Sequence, residues 1–109
     1  MKVFSYEWDY DNPFYIVSKT SNLLTQDIID NGSVHFYYEI GDGAWLALPY
    51  GTMGFAVMVN NLEIVTESSS ISNSTAIFKL VTIEGNMNKN SNIDFNNYSE
   101  VKEYFNLKD

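Results

Sequence analysis

The chain has 109 residues and a mass of 12.5 kDa, which is enough for one domain with its own core and too little for two. Six Lys, no Arg and fourteen acidic residues give a formal net charge of −8, the wrong sign for a surface that neutralises nucleic-acid phosphate or anionic lipid. Cys is absent and His occurs once, so thiol catalysis, disulfides and the usual zinc sites drop out.

The N-terminal MKVFSYEWDY places Glu7 and Asp9 where a signal peptide needs an unbroken apolar segment, so no secretory signal is read there. No apolar run approaches the roughly 18 residues that span a bilayer, and no membrane insertion is expected. Lys2–Trp8 alternates Phe4, Tyr6 and Trp8 against Ser5 and Glu7 and reads as a first strand. Asp9–Pro13 reads as a turn. Its Asp9, Asp11 and Asn12 offer three oxygens of the kind Ca²⁺ takes, but no Gly sits at the bend and no closing Glu follows, so a solvated turn is expected and no metal. Phe14–Val17 makes a further short strand. From Asn22 to Asp30 the β pattern breaks: Leu24, Ile28 and Asn31 fall at helical spacing, with Ser21 or Asn22 to cap the start and Gly32 to stop it.

Two hairpins follow. In Ser33–Ile40 the residues Val34, Phe36, Tyr38 and Ile40 alternate with Ser33, His35, Tyr37 and Glu39, and Gly41-Asp42-Gly43 supplies a turn. A three-residue loop sets Tyr38 against Leu46, Phe36 against Leu48 and Val34 against Tyr50, which makes this the core face. The same register sets Glu39 against Trp45, Tyr37 against Ala47 and His35 against Pro49, a second face that is aromatic with polar tips. The next hairpin runs from Gly54 to Glu67 around Asn60-Asn61, pairing Val59 with Leu62, Val57 with Ile64 and Phe55 with Thr66 on the inner face. Met58 with Glu63 and Ala56 with Val65 make its outer face. Ala76–Glu84 is apolar on both sides, with Ile77, Val81 and Ile83 on one and Phe78 and Leu80 on the other, as a central or covered strand requires.

From Gly85 the composition turns Asn-rich and reads as a linker over 86–97. A short amphipathic helix is expected over 98–109. Asn97 caps it with Glu100 three residues on, and Val101, Tyr104, Phe105 and Leu107 form one apolar stripe opposite Lys102, Glu103 and Asn106. A helix this short must dock, either on its own sandwich or on a neighbour. The whole reads as all-β: an antiparallel β-sandwich of about seven strands over 1–85, with one short crossover helix and a short C-terminal helix.

The order of the segments LTQDIIDNGSVHFYYEIGDGAWLALPY over 24–50 and IFKLVTIEG over 77–85 resembles a small β-sandwich domain of Gram-negative bacteria, often found C-terminal to collagen-like Gly-X-Y repeats. In that family a TQDIIDNG-like segment, a VxVYxE-like strand, a GxWxALPY hairpin and an FKVVVIEG-like strand follow in this order. The resemblance covers about residues 1–85 and carries over no catalytic or binding residues. It implies a non-enzymatic, surface-exposed domain that caps a fibre as a trimer. With no Gly-X-Y repeat in this chain, it fits a stand-alone relative such as a component of a virus particle, so virion or cell surface is expected over cytoplasm.

Three groups of residues remain as sites. His35, the sole imidazole, has no carboxylates placed beside it and reads as a surface or interface residue. Tyr37, Glu39 and Trp45 form a flat aromatic array with a carboxylate rim, which either is covered by the chain's own tail or the Asn22–Asp30 helix, packs against another subunit, or stacks on a sugar. Val101, Tyr104 and Phe105 form the docking stripe of the tail. No Ser-His-acid motif is present and no two acids are placed in a common cleft, so no catalytic residues, no cofactor and no enzyme are expected. The expected function is a structural or interaction module that partners with copies of itself or with a larger surface structure; the alternative is a carbohydrate-binding module.

Overall fold

Alternation at a period of two buries one face of each strand, and such strands find their partners by stacking sheet on sheet. In the computed structural model, which describes residues 1–41, 43–67, 75–85 and 94–105, two four-stranded antiparallel sheets do this. Among the described residues the strands are β1 (Lys2–Val3), β2 (Asp9–Asp11), β3 (Phe14–Thr20), β4 (Ser33–Gly41), β5 (Ala44–Ala47), β6 (Gly54–Met58), β7 (Asn61–Thr66) and β8 (Ala76–Ile83). One sheet runs β1-β8-β4-β5 and the other β2-β3-β7-β6. Helix α1 (Gln26–Asn31) crosses between the sheets and helix α2 (Tyr98–Phe105) ends the described chain. The all-β sandwich read from the alternation is the fold. Asp42, Ser68–Ser70, residues 86–93 of the expected linker, and Asn106 and Leu107 lie outside the described residues.

Between the sheets lies one apolar core, built from Val3, Trp8, Val17, Leu24, Phe36, Leu48, Leu62, Ile64, Ala76 and Phe78. Phe36 and Phe78 stack at its centre, 5.1 Å apart, and Phe55 of the second sheet packs on Phe36 at 5.3 Å. Strand β8 is central, between β1 and β4. Its Phe78 and Leu80 face this core, while Val81 and Ile83 face a second cluster under α2. This is why the strand is apolar on both sides.

The β4–β5 register is the expected one at Tyr37–Ala47, Tyr38–Leu46 and Glu39–Trp45, and the Leu48 N–H donates to the Phe36 carbonyl at 2.9 Å. It stops there. Pro49 has no N–H to extend the ladder, Gly51 turns the chain with a φ of 57°, and Tyr50 pairs with Met53 instead of Val34. His35 and Pro49 lie past the end of the β4–β5 ladder, and on the other side of β4 His35 pairs with Val81. A bulge between Glu39 and Gly41 also takes Ile40 off the core face. Ile40 and Tyr50, expected inside, are 58 % and 63 % exposed.

The β6–β7 hairpin is shifted by two residues from the expected pairing: Met58 faces Asn61, Val57 faces Leu62 and Phe55 faces Ile64. The loop is therefore Val59-Asn60. Asn60 takes the left-handed backbone, φ 61°, and its N–H donates to the Leu24 carbonyl at 2.8 Å while its own carbonyl accepts from Ser21 N at 3.1 Å. A slip of two keeps parity, so Phe55, Val57, Leu62 and Ile64 still point inward.

The N-terminal segment departs most from expectation. In place of a strand through Trp8, a 3₁₀ turn at Ser5–Glu7 follows β1, because the Glu7 carboxylate accepts from Phe4 N at 2.7 Å and pairs with Lys19. Phe4 and Tyr6 are left exposed, stacked on each other, and Trp8 reaches the core. The Asp9–Pro13 turn is shorter than read, since Asp9–Asp11 pair with β3. Helix α1 begins later than read, capped by Thr25, whose Oγ1 accepts from Ile28 N at 3.2 Å. Ser21, expected as a cap, accepts from Leu23 N instead. Gly32 does stop the helix. A Cβ there would sit 2.4 Å from the Ile83 carbonyl oxygen, so the position admits no side chain.

Candidate functional site

Odd-numbered residues of β4 point away from the sandwich core, and on this outer face Tyr37 is the centre. It is 0 % exposed, because α2 lies across the sheet and buries Tyr98 and Val101 against Tyr37, Val81 and Ile83. The Tyr37 hydroxyl donates to the Phe95 carbonyl at 2.9 Å. Its ring meets that of Tyr98 at 4.9 Å. Burial, with Tyr98 and Asp94 adding smaller contributions, pushes the Tyr37 phenol up to about 12.

Trp45 on β5 is half-buried and packs on Tyr98 at 5.5 Å. Lys79, opposite Tyr37 on β8, holds its ammonium 5.4 Å from the Trp45 ring centroid and 5.2 Å from that of Tyr98, within reach for cation–π attraction. Glu39 pairs with Trp45 across the ladder and is half-buried. His35 stacks on Phe95 at 3.9 Å with rings nearly parallel, and its Nε2 lies 2.9 Å from Ser33 Oγ. Burial lowers its pKa below the usual imidazole value.

Thus Tyr37, Glu39 and Trp45 do fall on one face, as the register predicted, but Tyr37 is closed off by the chain's own tail. A glycan platform built on Tyr37 and Trp45 together does not exist in this fold, since Tyr37 is covered by Tyr98 and Phe95 and Trp45 meets Tyr98 and Lys79. The docking stripe is also different in detail. Val101 is fully buried and Phe105 packs on the cluster, whereas Tyr104 is 58 % exposed and packs edge-on against Phe105. Tyr98 and Phe95 take the places that matter. Neither was picked out from the sequence, because Phe95 sits in the Asn-rich stretch read as linker and Tyr98 precedes the stripe. The signal was there: Tyr98, Val101 and Phe105 are spaced i, i+3, i+7. Asn97 does cap α2, accepting from Glu100 N at 3.3 Å.

Asp9 and Asp11 lie on exposed β2, and Asn12 accepts from the Tyr10 hydroxyl. Among the described residues, no three His, Asp or Glu side chains come together, and no helix is long and apolar enough to cross a membrane.

With the aromatic face taken, the surface that stands out is a side of the sandwich. Strand β5 closes one sheet and β6 closes the other, and residues 48–53 link them directly, so both edges share one side. Residues 43–62, which form this side, contain no Asp, Glu, Lys, Arg or His in a chain of net charge −8. Tyr50, Met58 and Val59 are exposed along it, and a shallow groove of about 350 Å³ runs between the 49–53 turn and the start of β6. The charge-free run was legible in the sequence. What the alternation alone did not give was that two sheet edges fall within it. No protein-family model, curated protein or solved structure matches the chain.

Proposed function

We propose that this domain is a non-catalytic interaction module of a surface assembly, one that associates with copies of itself or docks on a larger structure such as a fibre tip, a virion or a cell surface. The observation that carries this reading is the uncharged run 43–62, which forms both edge strands β5 and β6 and leaves Tyr50, Met58 and Val59 exposed, on a molecule of net charge −8. Like-charged copies repel over most of their surface, and an uncharged apolar side is where contact costs least desolvation of ions. The resemblance of residues 24–50 and 77–85 to a domain often found C-terminal to collagen-like repeats points the same way. That family's setting supports a homo-oligomer as the partner and a place outside the cytoplasm. Sedimentation velocity across the micromolar range tests the reading: a concentration-dependent rise in sedimentation coefficient is expected, and a strict monomer at every concentration counts against self-association.

A further inference from the structure

The four strands at sheet edges are not alike. Strand β1 has two residues and β2 has three, two of them Asp9 and Asp11. Strand β5 has four and pairs with a bulged neighbour. These are the devices that keep edges from pairing. Strand β6, Gly54–Met58, has five residues, no charge, no Pro and no bulge against β7. Among the described residues its outer edge has no strand partner. An antiparallel ladder closed by a two-residue loop bonds through Met58, Ala56 and Gly54, which turns the N–H and C=O of Phe55 and Val57 toward the open edge.

We propose that the β6 edge pairs with the β6 edge of a second copy, antiparallel across a two-fold axis through Ala56, joining two four-stranded sheets into one of eight. The inference rests on the self-association reading above and names its contact. The register is self-complementary. Phe55 faces the second copy's Val57 and exchanges both outward hydrogen bonds with it, Ala56 faces Ala56, and Gly54 faces the second copy's Met58. The outer-face residues Gly54, Ala56 and Val65 line the groove beside the 49–53 turn, so Met58, exposed in the single chain, enters the partner's groove where Gly54 leaves room. Such closed, isologous contacts are the commonest route to a dimer, a different assembly from the trimer that the family resemblance implies. Charge argues for this occupant as well: with −8 on each copy, a second copy meets least repulsion at an edge strand whose own residues carry no carboxylate, Glu63 lying one strand back.

The test uses substitutions at the axis. Directly opposite residues at a non-hydrogen-bonded antiparallel pair lie about 4.5 Å apart at Cα, within disulfide reach, and the chain has no other Cys. Under mild oxidation Ala56→Cys is expected to give a covalent dimer in near-complete yield, while Tyr10→Cys, exposed on the opposite side, gives little. Ala56→Lys sets two ammonium groups face to face across the axis, yet in the single chain it faces Glu63 and leaves the fold intact by circular dichroism. It is expected to weaken self-association by about tenfold or more. Wild-type association that persists unchanged in Ala56→Lys, with Ala56→Cys cross-linking no better than Tyr10→Cys, overturns the β6 edge and leaves the self-association reading standing. A wild type that stays monomeric overturns both.

Discussion

The Tyr37 hydroxyl donates to the Phe95 carbonyl across 2.9 Å, tying the middle of β4 to the turn that launches α2. The bond joins residues 58 positions apart in sequence and sits among the apolar contacts that Tyr98, Val101 and Phe105 make with the sheet. Tyr37→Phe removes the donor and leaves the Phe95 carbonyl to find water. A loss of about 1–2 kcal/mol in urea-unfolding stability is expected, with the far-UV signal of the sheets unchanged at neutral pH.

The same phenol sets an alkaline limit. Its pKa is about 12 folded against about 10 in an unfolded chain, so the folded state holds the proton longer. Its contribution is complete below pH ~10 and is lost as pH rises from there through the folded value. Wild type and Tyr37→Phe should therefore converge in stability across that interval; parallel curves from neutral pH upward would contradict the assignment.

His35 acts at the other end of the scale. Its folded pKa is depressed by burial, so the neutral ring stacked on Phe95 is the folded form. The associated stability is present above the ordinary imidazole pKa and falls away as pH drops through the folded value. The protection of α2 amides, taken relative to their intrinsic exchange rate at each pH, should fall on mild acidification in wild type. His35→Gln should abolish that pH dependence of protection, while the protection of β7 stays unaffected in both.

Val101 is the apolar anchor of α2, and fully buried. Val101→Asp puts a carboxylate against Tyr37, Val81 and Ile83 and should lift the helix from the sheet. Trp45, now packed on Tyr98, would enter water and shift its fluorescence to the red. Unchanged emission would show that α2 does not cover this face.

Gly32 tests the fit between α1 and β8. The nearest atom to an added Cβ is backbone, the Ile83 carbonyl oxygen at 2.4 Å, which cannot swing aside as a side chain does. Gly32→Ala should cost about 1–3 kcal/mol, read as a lowered urea midpoint. A neutral result would mean that α1 moves freely against the sheet.

The alternation of large apolar residues made the sandwich and the β4–β5 pairing readable, because a one-residue error there would turn Phe36 and Leu48 to water. The β6–β7 register was harder, since a slip of two keeps Phe55, Val57, Leu62 and Ile64 inside, and the observed loop is held by the bonds of Asn60 to Leu24 and Ser21, contacts that no alternation encodes. Lys2–Trp8 was misread because Glu7 reaches back to Phe4 N and out to Lys19, contacts that no periodicity encodes. The burial of Tyr37 was left open for a different reason: an aromatic outer face looks the same whether its own tail or a partner covers it, and the deciding residues, Phe95 and Tyr98, lie beyond the β pattern. Along the β5–β6 side the absence of charge was visible in the sequence, but its meaning came from the topology that makes both strands edges.

Sedimentation of the wild-type chain as salt is raised tests the central claim most directly. If copies meet through the charge-free side, added salt screens the repulsion between molecules of net charge −8 and leaves the contact itself untouched, so association should strengthen. A monomer at all salt concentrations, or association that weakens as salt rises, would contradict it.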